Sequence, residues 1–420
     1  MKPRERVLKA LAHQEPDRAP LDCGGTVVTG VDAAAYNRLK RHLGIQGGQT
    51  QIYHTVMQVA LVEPWFLDRF EVDAVDLGSV FCDSPKEWVD FRLADGTLAK
   101  MPAWMRIEKR HDGRVFVDHD GDAQGIMPHG GFYFDQLHWP LMEPQPDEVS
   151  NLPHYLDKIV WNAMSVPRWG IGAEPGFYET AARKAKKLYE ESDRAIVTNF
   201  NGAMFEALQR LFRHDNFFAN LASDRKRVEA ILDRMLELHI AAAEPFLKAV
   251  GPYVHVVRVA DDLGMQTGPQ ISPRMFREVF LPRYKELFSA VKRFSGAKLF
   301  MHCCGSIYRL LPDLIDAGVD IINPVQTSAA EMDPKRLKTE FGKDIVFWGG
   351  GCDNQSVLSH GSVEDVRREV AEKMEIFAPG GGFVFSQVHN IVPETPPENV
   401  LAMFDEFKRH RDYPARASRQ

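Results

Sequence analysis

The sequence of 420 residues contains the stretch Lys298-Leu-Phe-Met-His-Cys-Cys-Gly-Ser306, from which both a fold and a functional site can be predicted. It predicts a short buried strand that runs into a Gly-Ser turn. Side chains on a strand alternate between two faces, so His302 and Cys304 project to one side and Cys303 to the other. An imidazole and a thiol placed in this way make half of a metal site. Cys303 is expected to pack in the outer layer.

A second stretch of the same form, Phe347-Trp-Gly-Gly-Gly-Cys-Asp353, offers a further ligand in Cys352. Zinc binds thiolate and imidazole, and a catalytic zinc site keeps its fourth position open. Magnesium and calcium favour oxygen ligands instead. The pattern therefore predicts a zinc site formed by His302, Cys304 and Cys352. The alternative is that both cysteines are small buried apolar residues and that His302 is a satisfied polar residue.

Composition and charge favour an ordinary cytoplasmic enzyme. The net charge is -7, and 44% of the residues are hydrophobic. No extended Lys/Arg stripe indicates nucleic-acid binding, and no apolar run approaches the roughly 20 residues of a membrane span. The N-terminus has no apolar region typical of a signal peptide. The five cysteines are sparse and odd in number, which indicates metal binding or catalysis before disulfides.

Strands and helices alternate along most of the chain, which predicts a mostly parallel sheet. Predicted strands lie near residues 19, 74, 195, 255, 298, 320, 344 and 382. Eight such units favour a (β/α)8 TIM barrel. A doubly wound open sheet is the alternative, but no G-x-G-x-x-G turn follows the first strand.

The region of about 86–190 departs from this alternation. Asp95-Gly96 and Asp112-Gly113 each separate two strand-like runs, a pattern typical of β-hairpins. We interpret the region as an elaboration or cap on a single barrel domain that spans residues 1–420.

Polar residues recur at the predicted C-terminal ends of the strands, where TIM barrels build their active sites. We expect catalysis from Asp262 and His389, and substrate binding from Asp261, Asn199, Asn323 and Gln326. Two alternatives stay open. The Asp261-Asp262 pair also suits a capping or turn role, and His389 also suits a fourth zinc ligand or a structural hydrogen bond.

The predicted ligand set favours one kind of chemistry. Two thiolates donate charge to the metal and reduce its Lewis acidity, so the site is poorly suited to activating water. It suits an incoming thiol, whose deprotonation the metal promotes while the bound thiolate stays nucleophilic. This indicates alkyl transfer rather than hydrolysis.

Several stretches resemble the uroporphyrinogen decarboxylase superfamily, and specifically its zinc-dependent methyltransferase branch. They are Arg4–Leu11, Pro16–Pro20, Asp261–Pro273, His302–Ser306, Asp316–Asp320, Asn323–Gln326, Gly349–Gln355, Gly380–Asn390 and Pro396–Val400. The resemblance implies a (β/α)8 barrel and activities like those of methylcobamide:coenzyme M methyltransferases. In that branch an H-x-C…C motif binds zinc, and it matches His302, Cys304 and Cys352.

The resemblance also implies a methyl carrier and disfavours decarboxylation. The usual carrier is a corrinoid on a partner protein, and this chain has no D-x-H-x-x-G corrinoid-binding motif of its own. True decarboxylases carry arginines after the first strand, whereas Leu21–Gly30 contains none. Relatives form dimers, so a homodimer is also expected.

Three functions follow from the sequence. The first is a zinc-dependent methyltransferase that moves a methyl group between a corrinoid or folate carrier and a thiol or methylated small molecule. The second is a metal-free decarboxylase of a carboxylate-rich substrate, which the missing arginines disfavour. The third is a non-catalytic binding barrel, which the intact cysteines and histidine disfavour.

Overall fold

A computed structural model describes residues 1–82, 84–118, 121–160 and 176–413. Its centre is a parallel sheet of seven strands at positions that the sequence predicted. In spatial order the strands are Phe383–Val384, Val346–Trp348, Ile321–Asn323, Lys298–His302, Val256–Ala260, Ala195–Asn201 and Ala74–Asp76.

The segment around Leu21 joins the two edges of this sheet. Leu21 forms a parallel bridge with Phe385, and the backbone N–H of Asp22 donates to the Phe385 carbonyl at 2.8 Å. On the other side, the N–H of Asp73 donates to the Leu21 carbonyl at 2.8 Å. Pro20 has no N–H with which to extend the ladder, so the first predicted strand is reduced to this bridge. The predicted (β/α)8 barrel is confirmed.

Helices alternate with the barrel strands, and several pack against one another along the sequence. They are Pro3–Leu11, Ala33–His42, Pro64–Arg69, Leu152–Asp157, Phe177–Glu191, Phe205–Phe212, His214–Ser223, Arg225–Val250, Pro273–Met275, Leu281–Ser295, Leu311–Asp316, Pro334–Phe341, Val357–His360, Val363–Phe377 and Pro397–His410. Within the described ranges, none of the helices combines the length and the apolar character needed to cross a bilayer.

The first helix, Pro3–Leu11, packs against the interior of the barrel. Its apolar residues Val7 and Leu11 are buried in one cluster with side chains from all seven strands. The strand members of that cluster are Ala74, Ala195, Val197, Val256, Phe300, Ile321, Val346, Trp348 and Val384. The N-terminal half of the barrel is therefore a packed apolar core, and only its C-terminal half is left for polar groups.

The hairpins predicted after residue 86 are present. Trp88–Arg92 pairs with Leu98–Pro102, and Arg106–Arg110 pairs with Gly113–Val117, both antiparallel. The second hairpin belongs to a four-stranded antiparallel sheet, which also contains Ala123–Pro128 and Asp135–Gln136. Two parts of the predicted elaboration, residues 119–120 and 161–175, lie outside the described residues. Its last part, Phe177–Glu191, is a helix that packs against Arg225–Val250.

A buried ionic network holds the N-terminal segment against the barrel. Asp73 is fully buried and accepts hydrogen bonds from Arg6 at 2.5 Å and from Arg18 at 2.9 and 3.2 Å. It also accepts one from the Leu21 N–H at 2.8 Å. Arg6 bonds in addition to Asp17 at 2.7 and 2.9 Å. This ionic network therefore connects the helix Pro3–Leu11 to the segment around Leu21, which closes the barrel.

Replacement of Asp73 by Asn should destabilise the fold strongly. The substitution leaves two buried guanidinium groups without their shared counter-charge, and the loss of one partner from a buried ion pair costs about 3–5 kcal/mol. Thermal and urea unfolding should show a clear fall in both midpoints. The control is Asp193→Asn, which removes an exposed ion pair with Lys2 and should cost less than about 1 kcal/mol. Equal effects of the two substitutions would contradict the role assigned to Asp73.

Candidate metal centre

Polar side chains occupy the C-terminal half of the barrel interior. The inward-facing apolar residues Val256, Phe300 and Ile321 belong to the interior cluster, and the residue two positions further along a strand faces the same way. These next positions hold Arg258, His302 and Asn323, and Asp76 follows Ala74 in the same manner. All four are buried. Such a layer of buried polar groups is a candidate active site.

His302, Cys304 and His389 come together at the mouth of the barrel. Their candidate ligand atoms lie within 4.8 Å of one another. The Cys304 Sγ lies 3.4 Å from the His302 Nε2, and the centroids of the two imidazole rings are 5.1 Å apart. The structure therefore brings together two of the three predicted zinc ligands and adds His389.

Asn323 sets the orientation of the His302 ring. The Asn323 amide nitrogen donates to the Trp348 carbonyl at 2.8 Å, so its Oδ1 faces His302 and accepts from Nδ1 at 2.7 Å. With its proton on Nδ1, the neutral ring presents the lone pair of Nε2 to Cys304. Metal-binding histidines are commonly held by such a hydrogen bond. Burial lowers the pKa of His302 well below its usual value, which keeps the ring neutral.

His389 is held in the opposite tautomer. Its Nδ1 accepts a hydrogen bond from the backbone N–H of Asn390 at 2.7 Å, so a neutral ring carries its proton on Nε2. Burial, followed by the charge of Arg258, lowers the pKa of His389 to about 4. His389 also has a φ of +64°, a backbone conformation that non-glycine residues rarely adopt. In this arrangement His389 is suited to donate a hydrogen bond at the centre.

The third predicted ligand, Cys352, lies outside this three-residue cluster. Its buried thiol contacts the Glu369 carboxylate at 3.4 Å. Glu369 also accepts a hydrogen bond from the Asp353 N–H at 3.0 Å and lies 3.6 Å from the Lys373 amine. The ligand role of Cys352 stays a prediction, and the structure offers His389 as a second candidate for the same position.

The loop that carries Cys304 is held by two further predicted site residues. Asp262 Oδ1 accepts from the Cys304 N–H at 2.7 Å, and Gln326 Oε1 accepts from the Gly305 N–H at 2.8 Å. A Cβ on Gly305, which has a φ of +85°, would lie 2.6 Å from the backbone of Gly264. The turn therefore requires glycine. Asp262 and Gln326 thus position the loop that carries Cys304.

Cys303 and Asp261 have structural partners. The buried Cys303 thiol accepts from the Leu263 N–H at 3.2 Å, which confirms its predicted place in the packed layer. The Asp261 carboxylate accepts hydrogen bonds at 2.6–2.8 Å from three N–H groups that open the helix Phe205–Phe212. It also accepts from the Tyr284 hydroxyl at 2.5 Å. This is the capping role left open by the sequence, and substrate binding by Asp261 stays a prediction.

Two charged residues of the centre were missed by sequence reasoning. Arg258 is buried in the barrel interior, and its signal was a single charge at an inward position of Val254-His-Val-Val-Arg-Val259. Glu206 reaches the backbone N–H of Asp262 at 3.2 Å, and burial raises its pKa to about 8. No local pattern could reveal Glu206, because only the tertiary fold brings its helix to the mouth.

The predicted substrate residue Asn199 also lies in this layer. Its amide donates to Asp76 Oδ2 at 2.6 Å, and its Oδ1 is 3.4 Å from Arg258 Nη1. Asp76 Oδ1 accepts from the Gly78 N–H at 2.8 Å. Burial raises the pKa of Asp76 to about 7. Asn199 thus lies between the carboxyl group of Asp76 and the guanidinium group of Arg258, which belong to the two neighbouring strands.

Residues 153–410 match the model of the uroporphyrinogen decarboxylase (URO-D) family. That range is well over half of the 420 residues. The chain belongs to the uroporphyrinogen decarboxylase family. The matched range contains the C-terminal part of the barrel, with His302, Cys304, Cys352 and His389. No curated protein sequence matches this family member significantly.

A solved structure confirms the fold of this uroporphyrinogen decarboxylase family member. It is similar to a methyltransferase from Methanosarcina mazei, with a TM-score of 0.56 and 18% sequence identity, covering 97% of this chain and 99% of that one. A much weaker match is xylanase 10B from Thermotoga maritima, with a TM-score of 0.31 and 11% identity over 53% of this chain and 90% of that one. At such identities the first match shows a shared fold alone.

The raised pKa of Asp76 predicts a pH-dependent stability. Its folded pKa of about 7 lies above the value of about 3.9 in an unfolded chain. Its stabilising effect is therefore complete below about pH 4 and is lost as the pH rises through about 7. In Asp76→Asn the fall in the thermal midpoint between these pH values should be shallower than in the wild type.

Other buried acids limit the size of this change. Burial also raises the pKa of Asp22 to about 6 and that of Asp32 to about 7, so part of the pH dependence should persist. The control is Asp112→Asn in the hairpin turn, where the side chain is 49% exposed. An unchanged slope in Asp76→Asn, measured from thermal unfolding at several pH values, would contradict the prediction.

Proposed function

We propose that this chain is a zinc-dependent methyltransferase that moves a methyl group between a corrinoid or folate carrier and a thiol or methylated small molecule. The observation that carries the proposal is the approach of Cys304 Sγ to His302 Nε2 at 3.4 Å, at the mouth of a parallel barrel. An unprotonated Nε2 beside a thiol is half of a soft-metal site.

The residues present fit zinc. His302 presents its lone pair because Asn323 holds the proton on Nδ1, and Cys304 supplies sulfur on the same side. Burial raises the pKa of the Cys304 thiol well above its usual value, so the thiolate form needs a cation beside it. Cys352 remains the predicted third ligand. His389 is the less suitable candidate for the third ligand. Ligation through Nε2 would move the ring proton to Nδ1, and Nδ1 could then no longer accept the hydrogen bond from the Asn390 N–H.

The chemistry follows from the sulfur content of the site. Cys304 and Cys352 would hold the zinc through their thiolates, and the bound zinc would lower the pKa of an incoming thiol while leaving the resulting thiolate nucleophilic. Asp262 holds the Cys304 loop in place through the Cys304 N–H. His389 donates from Nε2 to a polar atom of the substrate, and burial keeps it neutral. The methyl carrier binds from outside this chain, as a corrinoid on a partner protein or as a folate.

Metal content tests the ligand assignment. Wild-type protein grown with zinc should contain about one zinc per chain by mass spectrometry, and His302→Ala and Cys304→Ser should lose it. Loss in Cys352→Ser with retention in His389→Gln identifies Cys352 as the third ligand. The reverse result identifies His389.

Cys303→Ala provides the matched control. This thiol is the direct neighbour of Cys304, is equally a cysteine, and faces Leu263 rather than the centre. The variant should keep its zinc. A folded wild-type protein without zinc, or zinc that persists in both His302→Ala and Cys304→Ser, would overturn the proposed metal centre.

A transfer assay tests the reaction itself. Wild-type protein should demethylate methylcobalamin in the presence of 2-mercaptoethanol, followed by the change in corrin absorbance and by detection of the methyl thioether. His302→Ala should lower the rate by more than about 100-fold. Loss of a residue that only hydrogen-bonds to a metal ligand already costs about 10- to 100-fold. Zinc-loaded protein that transfers no methyl group from either a corrinoid or a methylated folate would contradict the function. Release of CO2 from a carboxylated substrate without metal would favour the decarboxylase alternative.

A further inference from the structure

The strand Val256–Ala260 places one arginine inside the barrel. Its neighbours Val256, Val257, Val259 and Ala260 are all apolar and buried. Val256 belongs to the interior cluster, and Arg258, two positions later, faces the same way. Only 4% of Arg258 is exposed to solvent. An arginine at such a position is rarely tolerated without a partner, because burial of a charge is expensive.

Arg258 makes no direct ion pair in the described part of the chain. No carboxylate oxygen there lies within 4.0 Å of its guanidinium group, and its one hydrogen bond is the 3.4 Å contact from Nη1 to Asn199 Oδ1. Its Nε is buried and has no hydrogen-bond partner among the described residues. Burial lowers the pKa of Arg258 to about 10, a value that still leaves it charged at neutral pH.

Other buried arginines of this protein are treated differently. Arg6 and Arg18 share Asp73 at 2.5 and 2.9 Å, and Arg227 bonds to Glu148 at 2.7 Å. The fold therefore supplies a carboxylate where a buried guanidinium serves stability. The isolation of Arg258 is a departure from that rule. Buried polar groups that lack partners commonly mark functional sites.

The neighbouring acids are engaged elsewhere. Asp76 gives its oxygens to Gly78 and Asn199, and Asp262 accepts from the Cys304 N–H. Glu206 contacts the N–H of Asp262. These acids attract Arg258 from a distance, and they also disfavour a doubly charged ligand beside it. A single negative charge suits the position better than a phosphate dianion.

Arg258 lies close to the candidate metal centre. Its charge contributes to the lowered pKa of both His302 and His389. The strand Lys298–His302 is its direct neighbour, with Arg258 in register with Phe300, two positions before His302. The guanidinium group therefore lies on the strand directly beside the one that carries His302.

We propose that Arg258 binds a carboxylate of the substrate and so directs the other end of that molecule to His302 and Cys304. A carboxylate matches the planar donors of a guanidinium group and supplies the missing counter-charge. The inference rests on the proposed function for the reacting end of the substrate. Binding of the carboxylate itself requires no metal.

The test compares 3-mercaptopropionate with its uncharged amide, 3-mercaptopropionamide. Isothermal titration calorimetry with metal-free protein should show at least about tenfold tighter binding of the acid. In Arg258→Met this ratio should fall to near one. Because the free wild-type protein buries an unpaired charge, the thermal midpoint of unliganded Arg258→Met should equal or exceed that of the wild type. A purely structural arginine would give a lower midpoint.

Arg114→Met is the matched control. Arg114 also has a buried guanidinium nitrogen without a partner among the described residues, but it stacks on Phe91 in the hairpin region. The variant should keep the acid-to-amide ratio of the wild type. No difference between acid and amide in the wild type, a ratio that persists in Arg258→Met, or a lower thermal midpoint of that variant would each overturn the proposal.

The metal-free format separates this proposal from the proposed function. If the protein binds no zinc, the acid-to-amide ratio still reports on Arg258. If zinc and methyl transfer are found but the ratio is near one, only the role of Arg258 fails. Inorganic phosphate at the same ionic strength provides a further arm, and tighter binding of phosphate than of the acid would contradict selection for a single charge.

Discussion

The closure of the barrel is the constraint on which the rest of the structure depends. Closure requires the backbone on either side of Leu21, at Pro20 and Asp22, to bond with Phe385, and the Leu21 carbonyl to accept from the Asp73 N–H. Once the sheet is closed, every parallel strand ends at the same mouth, and every second side chain points inward. His302, Asn323 and His389 then meet, although they come from distant parts of the chain.

Charge is distributed unequally along the barrel axis. At the N-terminal end, Arg6 and Arg18 pair with Asp73, and Arg6 also pairs with Asp17. Apolar side chains of the strands and of the helix Pro3–Leu11 fill the interior there. At the C-terminal end, Arg258 is buried without a direct counter-charge among the described residues. The first arrangement stabilises the closed barrel. The second leaves hydrogen-bond donors of the Arg258 guanidinium group for a ligand, as expected where a functional site is built into a stable scaffold.

Hydrogen bonds decide between roles that the residue types leave open. Two histidines face each other at the centre, but Asn323 places the proton of His302 on Nδ1, whereas the Asn390 N–H places that of His389 on Nε2. One ring is thereby prepared to accept and the other to donate. The predicted substrate residues Asn323, Gln326 and Asp261 likewise use their polar atoms to hold neighbouring loops and a helix.

The amino-acid sequence by itself determined the barrel, the hairpins at Asp95-Gly96 and Asp112-Gly113, and the pairing of His302 with Cys304. These features depend on local periodicity and turn chemistry, which a short stretch of chain expresses. Only the tertiary structure decided that Cys352 contacts Glu369, that His389 joins His302 and Cys304, and that Glu206 reaches the mouth. It also decided that the Arg258 Nε finds no hydrogen-bond partner among the described residues. The physical reason is that hydrogen-bond partners and desolvation depend on which distant segments meet.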